Sequence, residues 1–270
     1  MTGQAVLQPG WLQLVSLHGT VSTPRAATAT RIQLPHPGRP APYPTLLIAV
    51  FDDSGSVAGP VGSDPLSGRY EEARRAFEVI ARRGAAHELG AVLHFDTPCS
   101  GDVGPVPLVR RGLLSIRGAL RVPLDSAGSS ELGPSLGRAV ELAAEHPDHQ
   151  ATLVVLSDFL LFDPEPGPVL RALAAFPGDV HAVVLGGRLP PGVLDERIQR
   201  TDITREDQPG ALALALFGSL TTHRLGQPHA QVAGNAVSIS QHTQATRRGR
   251  PVRGLRQRRS PEPPGESSGE

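Results

Sequence analysis

The chain has 270 residues, with 26 basic and 26 acidic side chains and a formal net charge of zero, so its bulk charge selects neither a nucleic acid nor an anionic membrane as partner. All 26 basic residues are arginine; a lysine Schiff base, a P-loop lysine and any lysine-dependent phosphoryl site are therefore excluded. Cys99 is the only cysteine, which excludes an intrachain disulfide and a cysteine-based zinc cluster, and no apolar run approaches the ~20 residues of a membrane-spanning helix.

The first 19 residues have no basic leader and no long apolar core. That is not the pattern of a signal peptide, and a cytoplasmic protein is the expectation. Residues 11–16 (WLQLVS) alternate apolar and polar and predict an edge strand. A second, irregular strand is expected around residues 31–34, followed by a Pro-rich linker, so that residues 1–44 form an N-terminal extension.

Thr45 opens the segment TLLIAVFDDSGSV. Its short apolar run reads as a strand buried on both faces. The polar burst that follows must lie at the strand's carboxyl end, where open α/β sheets bind ligands. Asp52, Ser54 and Ser56 alternate as D-x-S-x-S. One carboxylate and two hydroxyls are hard oxygen donors, suited to Mg²⁺ or Mn²⁺. Asp and Ser also gather in turns after strands for local hydrogen-bonding reasons, so this segment alone does not separate a metal loop from a turn. Asp53, at the alternate position, is expected to point away from an ion. A Gly- and Pro-containing loop, residues 58–67, follows and lies across the same end.

Residues 69–83 predict a helix with Tyr70, Ala73, Phe77 and Ile80 inward. Glu71, Glu72 and Glu78 alternate with Arg74, Arg75 and Arg82 and read as its solvated face. Residues 89–95 predict a buried strand in which His94 is an ordinary strand histidine, and Asp96 starts a turn. Residues 108–120 are ambiguous. Residues 133–144 predict a helix with Leu136, Val140 and Ala143 on one stripe, and residues 151–156 an apolar strand ending at Ser157-Asp158. A short helix at 168–176, a strand at 180–185 and a final Ala- and Leu-rich helix within 209–223 complete the pattern. Strand and helix alternating from Thr45 onward predict an α/β, doubly wound, mostly parallel central sheet with helices on both faces. Beyond residue 225 the apolar periodicity is lost. Seven arginines fall within residues 247–259, and a Pro-, Glu- and Ser-rich stretch follows; residues 226–270 read as a disordered tail.

Three of these segments, in order, resemble the metal-ion-dependent adhesion site of von Willebrand factor type A domains. Asp52, Ser54 and Ser56 match that family's D-x-S-x-S after the first strand. Gly128-Ser129-Ser130-Glu131-Leu132 is similar to its G-G-T-x-L loop, with Ser130 in the Thr place. Asp158 matches the carboxylate after the fourth strand. The resemblance covers roughly residues 45–225 and implies a Rossmann-like fold, a bound Mg²⁺ (or Mn²⁺) held by Asp52, Ser54, Ser56, Ser130 and Asp158, and no catalytic residue. It implies a protein–protein interaction module in which a partner's acidic residue completes the metal sphere. For bacterial intracellular members the implied role is an adaptor beside an ATPase or another component of a multi-gene system. The chain departs from the family at Phe159, where Gly is most common, and at Ser130, which lacks the Thr methyl.

Two other readings remain at this point. Acidic groups after two strands can hold Mg²⁺ for phosphoryl transfer, although the lysine of receiver domains and the D-x-D of haloacid dehalogenases are absent. The arginine-rich stretch can contact nucleic-acid phosphates, with little aromatic interleaving to read bases.

Overall fold

The computed structural model describes residues 32–59, 62, 68–187 and 189–226. The edge strand expected at 11–16, most of the loop 58–67 and the tail beyond residue 226 lie outside the described residues. Ile32 to Leu34 form no strand.

Among the described residues six strands make one sheet: β1 (Thr45–Phe51), β2 (Glu88–His94), β3 (Val103–Pro107), β4 (Gln150–Ser157), β5 (Asp179–Leu185) and β6 (Gln199–Ile203). Their order is β3-β2-β1-β4-β5-β6. Every neighbouring pair is parallel except β2 with β3. The helices are α1 (Gly55–Ala58), α2 (Arg69–Ala81), α3 (Gly112–Ala119), α4 (Gly133–Glu145), α5 (Pro166–Ala174) and α6 (Ala211–Thr221). This is the doubly wound α/β architecture expected from the sequence.

β1 shows why the layers form. Its side chains alternate between two cores. Leu47, Ala49 and Phe51 pack with Phe77 of α2, Ile116 of α3 and Leu216 of α6. Leu46, Ile48 and Val50 pack with Leu136 and Leu142 of α4 and Leu173 of α5. Each such fully buried Leu, Ile or Phe contributes about 1.5–3 kcal/mol. A strand flanked on both sides and covered on both faces has no place for polar residues in its interior, and β1 carries none between Thr45, at its half-buried start, and Asp52.

The chain leaves β1 for β2 on one side and later returns to pair β4 on the other. The order therefore reverses between β1 and β4, the position where crevices open at the strands' carboxyl ends. Four elements were not foreseen: the short helix α1, β3, α3 and β6. α3 forms within the ambiguous 108–120 segment. β6 (QRTDI) is polar because it is an edge strand, half-buried along most of its length, and its partner β5 supplies the apolar face.

The end of the chain opposite the crevice is closed by a buried ion pair. Arg224 reaches Glu88, at the start of β2, at 2.6 Å. The same carboxylate accepts from the Ala41 and Ala85 backbone N–H groups, and Arg39 bridges Leu225. Residues 37–41 and 224–225 are thus tied to the sheet.

α6 begins at Gly210, whose φ of 103° favours glycine. It has no capping side chain of its own. Glu72 of α2 fills that role, accepting from Gly210 N at 2.8 Å and Ala213 N at 3.0 Å. A buried carboxylate at a helix N-terminus satisfies orphan N–H groups and meets the positive end of the helix dipole. Glu72 is therefore not part of the solvated face. Its neighbours are: Arg74 pairs with Glu71, and Arg75 with Glu78, at i,i+3 spacing. On α4, Val140 lies at the exposed rim of the expected stripe, while Leu136, Ala139, Leu142 and Ala143 are buried.

His181 of β5 is buried against α6, with Nδ1 2.5 Å from Ser219 Oγ and Nε2 2.8 Å from Thr201 Oγ1. Burial lowers its pKa from 6.5 to about 4. The unfolded chain therefore takes up a proton below about pH 6.5 that the folded chain refuses until about pH 4. Stability contributed by neutral His181 is present above pH 6.5 and is lost as pH falls, by about 3 kcal/mol on reaching pH 4. Urea titrations between pH 7 and 4 are expected to show a smaller acid loss in His181→Gln than in the parent chain. Parallel pH profiles for the two would contradict this assignment.

Candidate metal centre

The loop after β1 turns sharply because Asp52 accepts from the backbone two residues on. Its Oδ1 takes the Ser54 N–H at 2.9 Å. Ser54 O then accepts from Val57 and Ala58 N–H, starting the short helix α1. Ser54 makes no side-chain cap to that helix; its Oγ instead lies 3.0 Å from Ser56 Oγ. Asp52 is 1% exposed and Ser54 1% exposed, while Ser56 faces solvent.

β4 brings the second carboxylate alongside. Asp52 N donates to Leu156 O at 3.1 Å, extending the β1–β4 pairing by one step. Ser157 Oγ donates to Asp52 Oδ2 at 2.5 Å and accepts from Phe159 N at 2.8 Å. Asp158 Oδ1 accepts from Leu160 N at 3.0 Å. Burial pushes the Asp52 carboxyl above its usual range; hydrogen bonds from Ser157 and Ser54 oppose this, and the neighbouring charge of Asp158 adds to it. The two carboxylates therefore feel each other across the crevice.

The third loop is positioned by two further aspartates. Asp96, after β2, accepts from Ser126 Oγ, Gly128 N and Ser129 N. Burial works against its charge, but these bonds prevail and hold the carboxyl below its usual range. Gly128 has a φ of 72°, which favours glycine. Asp163, beyond β4, accepts from Leu132 N at 3.0 Å and Gly133 N at 2.8 Å, capping α4 from outside. A Cβ at Gly133 would come within 2.9 Å of Asp163 Oδ1, so a larger residue there would displace the capping carboxylate. Ser130 lies between these anchors, half-buried, and its carbonyl accepts from Phe162 N at 3.1 Å.

All five expected residues thus lie on three loops at the carboxyl end of the sheet. Ser54 and Ser56 are in direct contact, Asp52 and Asp158 interact electrostatically, and Ser130 is bonded through its backbone to the Asp158 loop. Among the described residues no group of three or more His, Cys, Asp or Glu side chains is arranged to hold a metal, so any cation here depends on the hydroxyls. Phe159 occupies the place of the family's glycine with a φ of 57° and a buried ring. Cys99 is half-buried and its thiol is pushed up to about 11, mainly by burial, which leaves it a poor nucleophile.

A second buried cluster was missed. Asp53 does point away from the other three, but into a network. Its Oδ1 accepts from Arg69 Nη2 at 2.6 Å and from the Tyr70 hydroxyl. Its Oδ2 lies 2.6 Å from His94 Nδ1, and His94 Nε2 lies 3.2 Å from Ala119 O. His94 is therefore not an ordinary strand histidine; it anchors the residue between Asp52 and Ser54. Burial and the Asp53 charge push the Tyr70 phenol well above its usual range, so Tyr70 stays protonated and donates to Asp53. The sequence signal was the acidic pair itself: a second carboxylate on the inward side of a buried strand end must find cations.

Comparison with family models and with curated proteins returns no match. Among solved structures the chain is similar to a von Willebrand factor type A protein from Catenulispora acidiphila, at 16% identity over 67% of this chain and 43% of that one, with a TM-score of 0.49. It is similar to the pilus adhesin SpaC from Lactobacillus rhamnosus, at 13% identity over 68% of this chain and 31% of that one, with a TM-score of 0.49. It is also similar to proximal thread matrix protein 1 from the mussel byssus, solved with a zinc-occupied MIDAS motif, at 19% identity over 67% and 46% of the two chains, with a TM-score of 0.42. The chain spans less than half the length of each of these proteins.

Asp53→Ala is expected to cost about 3–5 kcal/mol, because it removes the charge that faces buried Arg69 and His94. Denaturant titrations run in EDTA test this apart from any metal effect. A loss under about 1 kcal/mol would show that the network does not hold the loop.

Proposed function

We propose that the chain is a metal-dependent protein–protein interaction module of the von Willebrand factor type A kind. In this reading Asp52, Ser54, Ser56, Ser130 and Asp158 hold one divalent cation, Mg²⁺ or Mn²⁺. The observation that supports it most is the Ser54–Ser56 pair of hydroxyls 3.0 Å apart, on the same crevice as two nearly buried carboxylates, Asp52 and Asp158. Adjacent ligands of an octahedral ion at ~2.1 Å are themselves about 3 Å apart. Two carboxylates balance a divalent charge, and the remaining donors are neutral oxygens. Such a set suits a hard ion and gives no thiolate or imidazole to favour a softer one.

The arrangement also explains why Asp52 is buried at all. A carboxylate desolvated beside another carboxylate is costly unless a cation joins them. When bound, the cation supplies positive charge and an exchangeable position at which a partner's carboxylate can coordinate. The chain's residues do the rest: Ser157 orients Asp52, Asp163 and Asp96 fix the Ser130 loop, and the Asp53 network fixes the turn. None of the five ligands needs to act as an acid or base, and the reading assigns no catalytic residue.

We read residues 45–225 as the module, 1–44 as an N-terminal extension and 226–270 as a tail. The partner is another protein offering Asp or Glu, and the favoured setting is an adaptor in a bacterial, cytoplasmic multi-protein system. Among the described residues no helix is long and apolar enough to cross a membrane.

Titration calorimetry with Mg²⁺ and Mn²⁺ tests the site. Asp52→Ala and Asp158→Ala are each expected to abolish measurable binding. Ser130→Ala is expected to weaken it by roughly tenfold, about 1.4 kcal/mol, because a neutral donor is lost rather than a charge. Unchanged affinity in both carboxylate variants would rule the site out.

A further inference from the structure

We infer that the loop from Asp158 to Asp163 is the apolar half of the partner-binding surface, and that the partner's coordinating carboxylate has a bulky apolar side chain within two residues of it. This rests on the metal-site reading above and adds which partner fits.

The loop reads Asp-Phe-Leu-Leu-Phe-Asp. Its four apolar side chains divide. Phe159 is buried and Leu161 half-buried, both in the core cluster under α4 and α5. Leu160 is 59% exposed and Phe162 76% exposed. Single exposed apolar residues are ordinary on protein surfaces. These two differ in how firmly they are held.

Phe159, Leu160, Phe162 and Asp163 are each fixed by a hydrogen bond, and Leu161 packs against the core. Phe159 N donates to Ser157 Oγ at 2.8 Å, and Leu160 N to Asp158 Oδ1 at 3.0 Å. Phe162 N donates to Ser130 O at 3.1 Å. Asp163 is locked by its two bonds to the start of α4. Phe159 is held in the left-handed region, at φ 57°, a conformation unfavourable for any residue but glycine. That turn buries the Phe159 ring and sends Leu160 outward. Strain of this kind persists only where the surroundings over-determine it, and it concentrates at binding sites. A rigid loop presenting a phenyl and an isobutyl group gives an interface contact area at little cost in ordering entropy.

The placement links these groups to the cation. Leu160 is bonded through its N–H to the carboxylate of one proposed ligand, and Phe162 to the carbonyl of another. A partner carboxylate at the ion has its neighbours one and two residues away within roughly 4–7 Å along the chain. Those neighbours meet Leu160 and Phe162. Leu160 and Phe162 give this rim its exposed apolar contact area, so apolar flanks gain contact there. The chain's own acidic residues at Glu262, Glu266 and Glu270 have only Pro, Gly and Ser as near neighbours, so they lack the required flank.

The test uses the full chain and an array of nine-residue peptides with a central Asp or Glu and varied flanks, probed in Mn²⁺ and in EDTA. The expected result is Mn²⁺-dependent retention of peptides carrying Leu, Ile, Met or Phe within two residues of the acid. Leu160→Ser/Phe162→Ser should lose that retention by at least tenfold while binding Mn²⁺ as the parent does by calorimetry. Selection of polar flanks, equal peptide binding by the double variant, equal binding in EDTA, or Mn²⁺ binding with no peptide selected would each overturn the inference and leave the metal site standing. Failure of the parent chain to bind Mn²⁺ would instead remove the metal site, and this inference with it.

Discussion

The bond from Ser157 Oγ to Asp52 Oδ2 joins the last residue of β4 to the first residue beyond β1. It exists because β1 and β4 are parallel neighbours in register, with Phe51 opposite Leu156. That register is in turn fixed by the two apolar cores, since a slip by one residue would turn every β1 side chain to the wrong face. The crevice at the topological switch is therefore a consequence of core packing, and the two carboxylates are brought together by the hydrophobic effect acting on residues that never touch a ligand.

Carboxylates recur as the devices that position the loops. Glu72 caps α6, Asp163 caps α4, Asp96 gathers the Ser126–Ser129 turn and Asp53 ties the loop after β1 to Arg69 and His94. In each case a buried or partly buried acid is satisfied by backbone N–H groups or by cations from a distant segment. Asp52 stands apart. Its raised pKa, set first by burial, shows that the bonds to Ser157 and Ser54 do not fully offset its desolvation. A divalent cation shared with Asp158 is the compensation that the reading supplies.

The strands were legible because burial on both faces leaves an apolar run, which β1 shows from Leu46 to Phe51 and which β4 and β5 show with one polar residue inside each run, Thr152 and His181. The loops holding Asp52 and Asp158 were legible because hard donors follow such runs; the Ser130 loop follows no strand and was legible only through its resemblance to the family's G-G-T-x-L loop. What escaped was non-local. Glu72 has the spacing of a surface residue on α2, but its partners lie 138 and 141 positions away on α6. Nothing in the local pattern of His94 reveals Asp53, which is 41 positions earlier. β6 escaped for a different reason: an edge strand needs only one neighbour, so polar residues and a single buried Ile203 suffice. Phe159 was recognised as a departure from glycine, but its positive φ and the outward turn of Leu160 depend on the core pocket that receives its ring.

Crystals of the full chain grown with Mn²⁺, with data collected at the manganese edge, test the central claim most directly. The account predicts one anomalous peak in the crevice between β1 and β4, directly coordinated by Ser54 and Ser56 and bounded by Asp52, Asp158 and Ser130. A peak elsewhere, or a crevice filled only by water with Asp52 protonated, would contradict it.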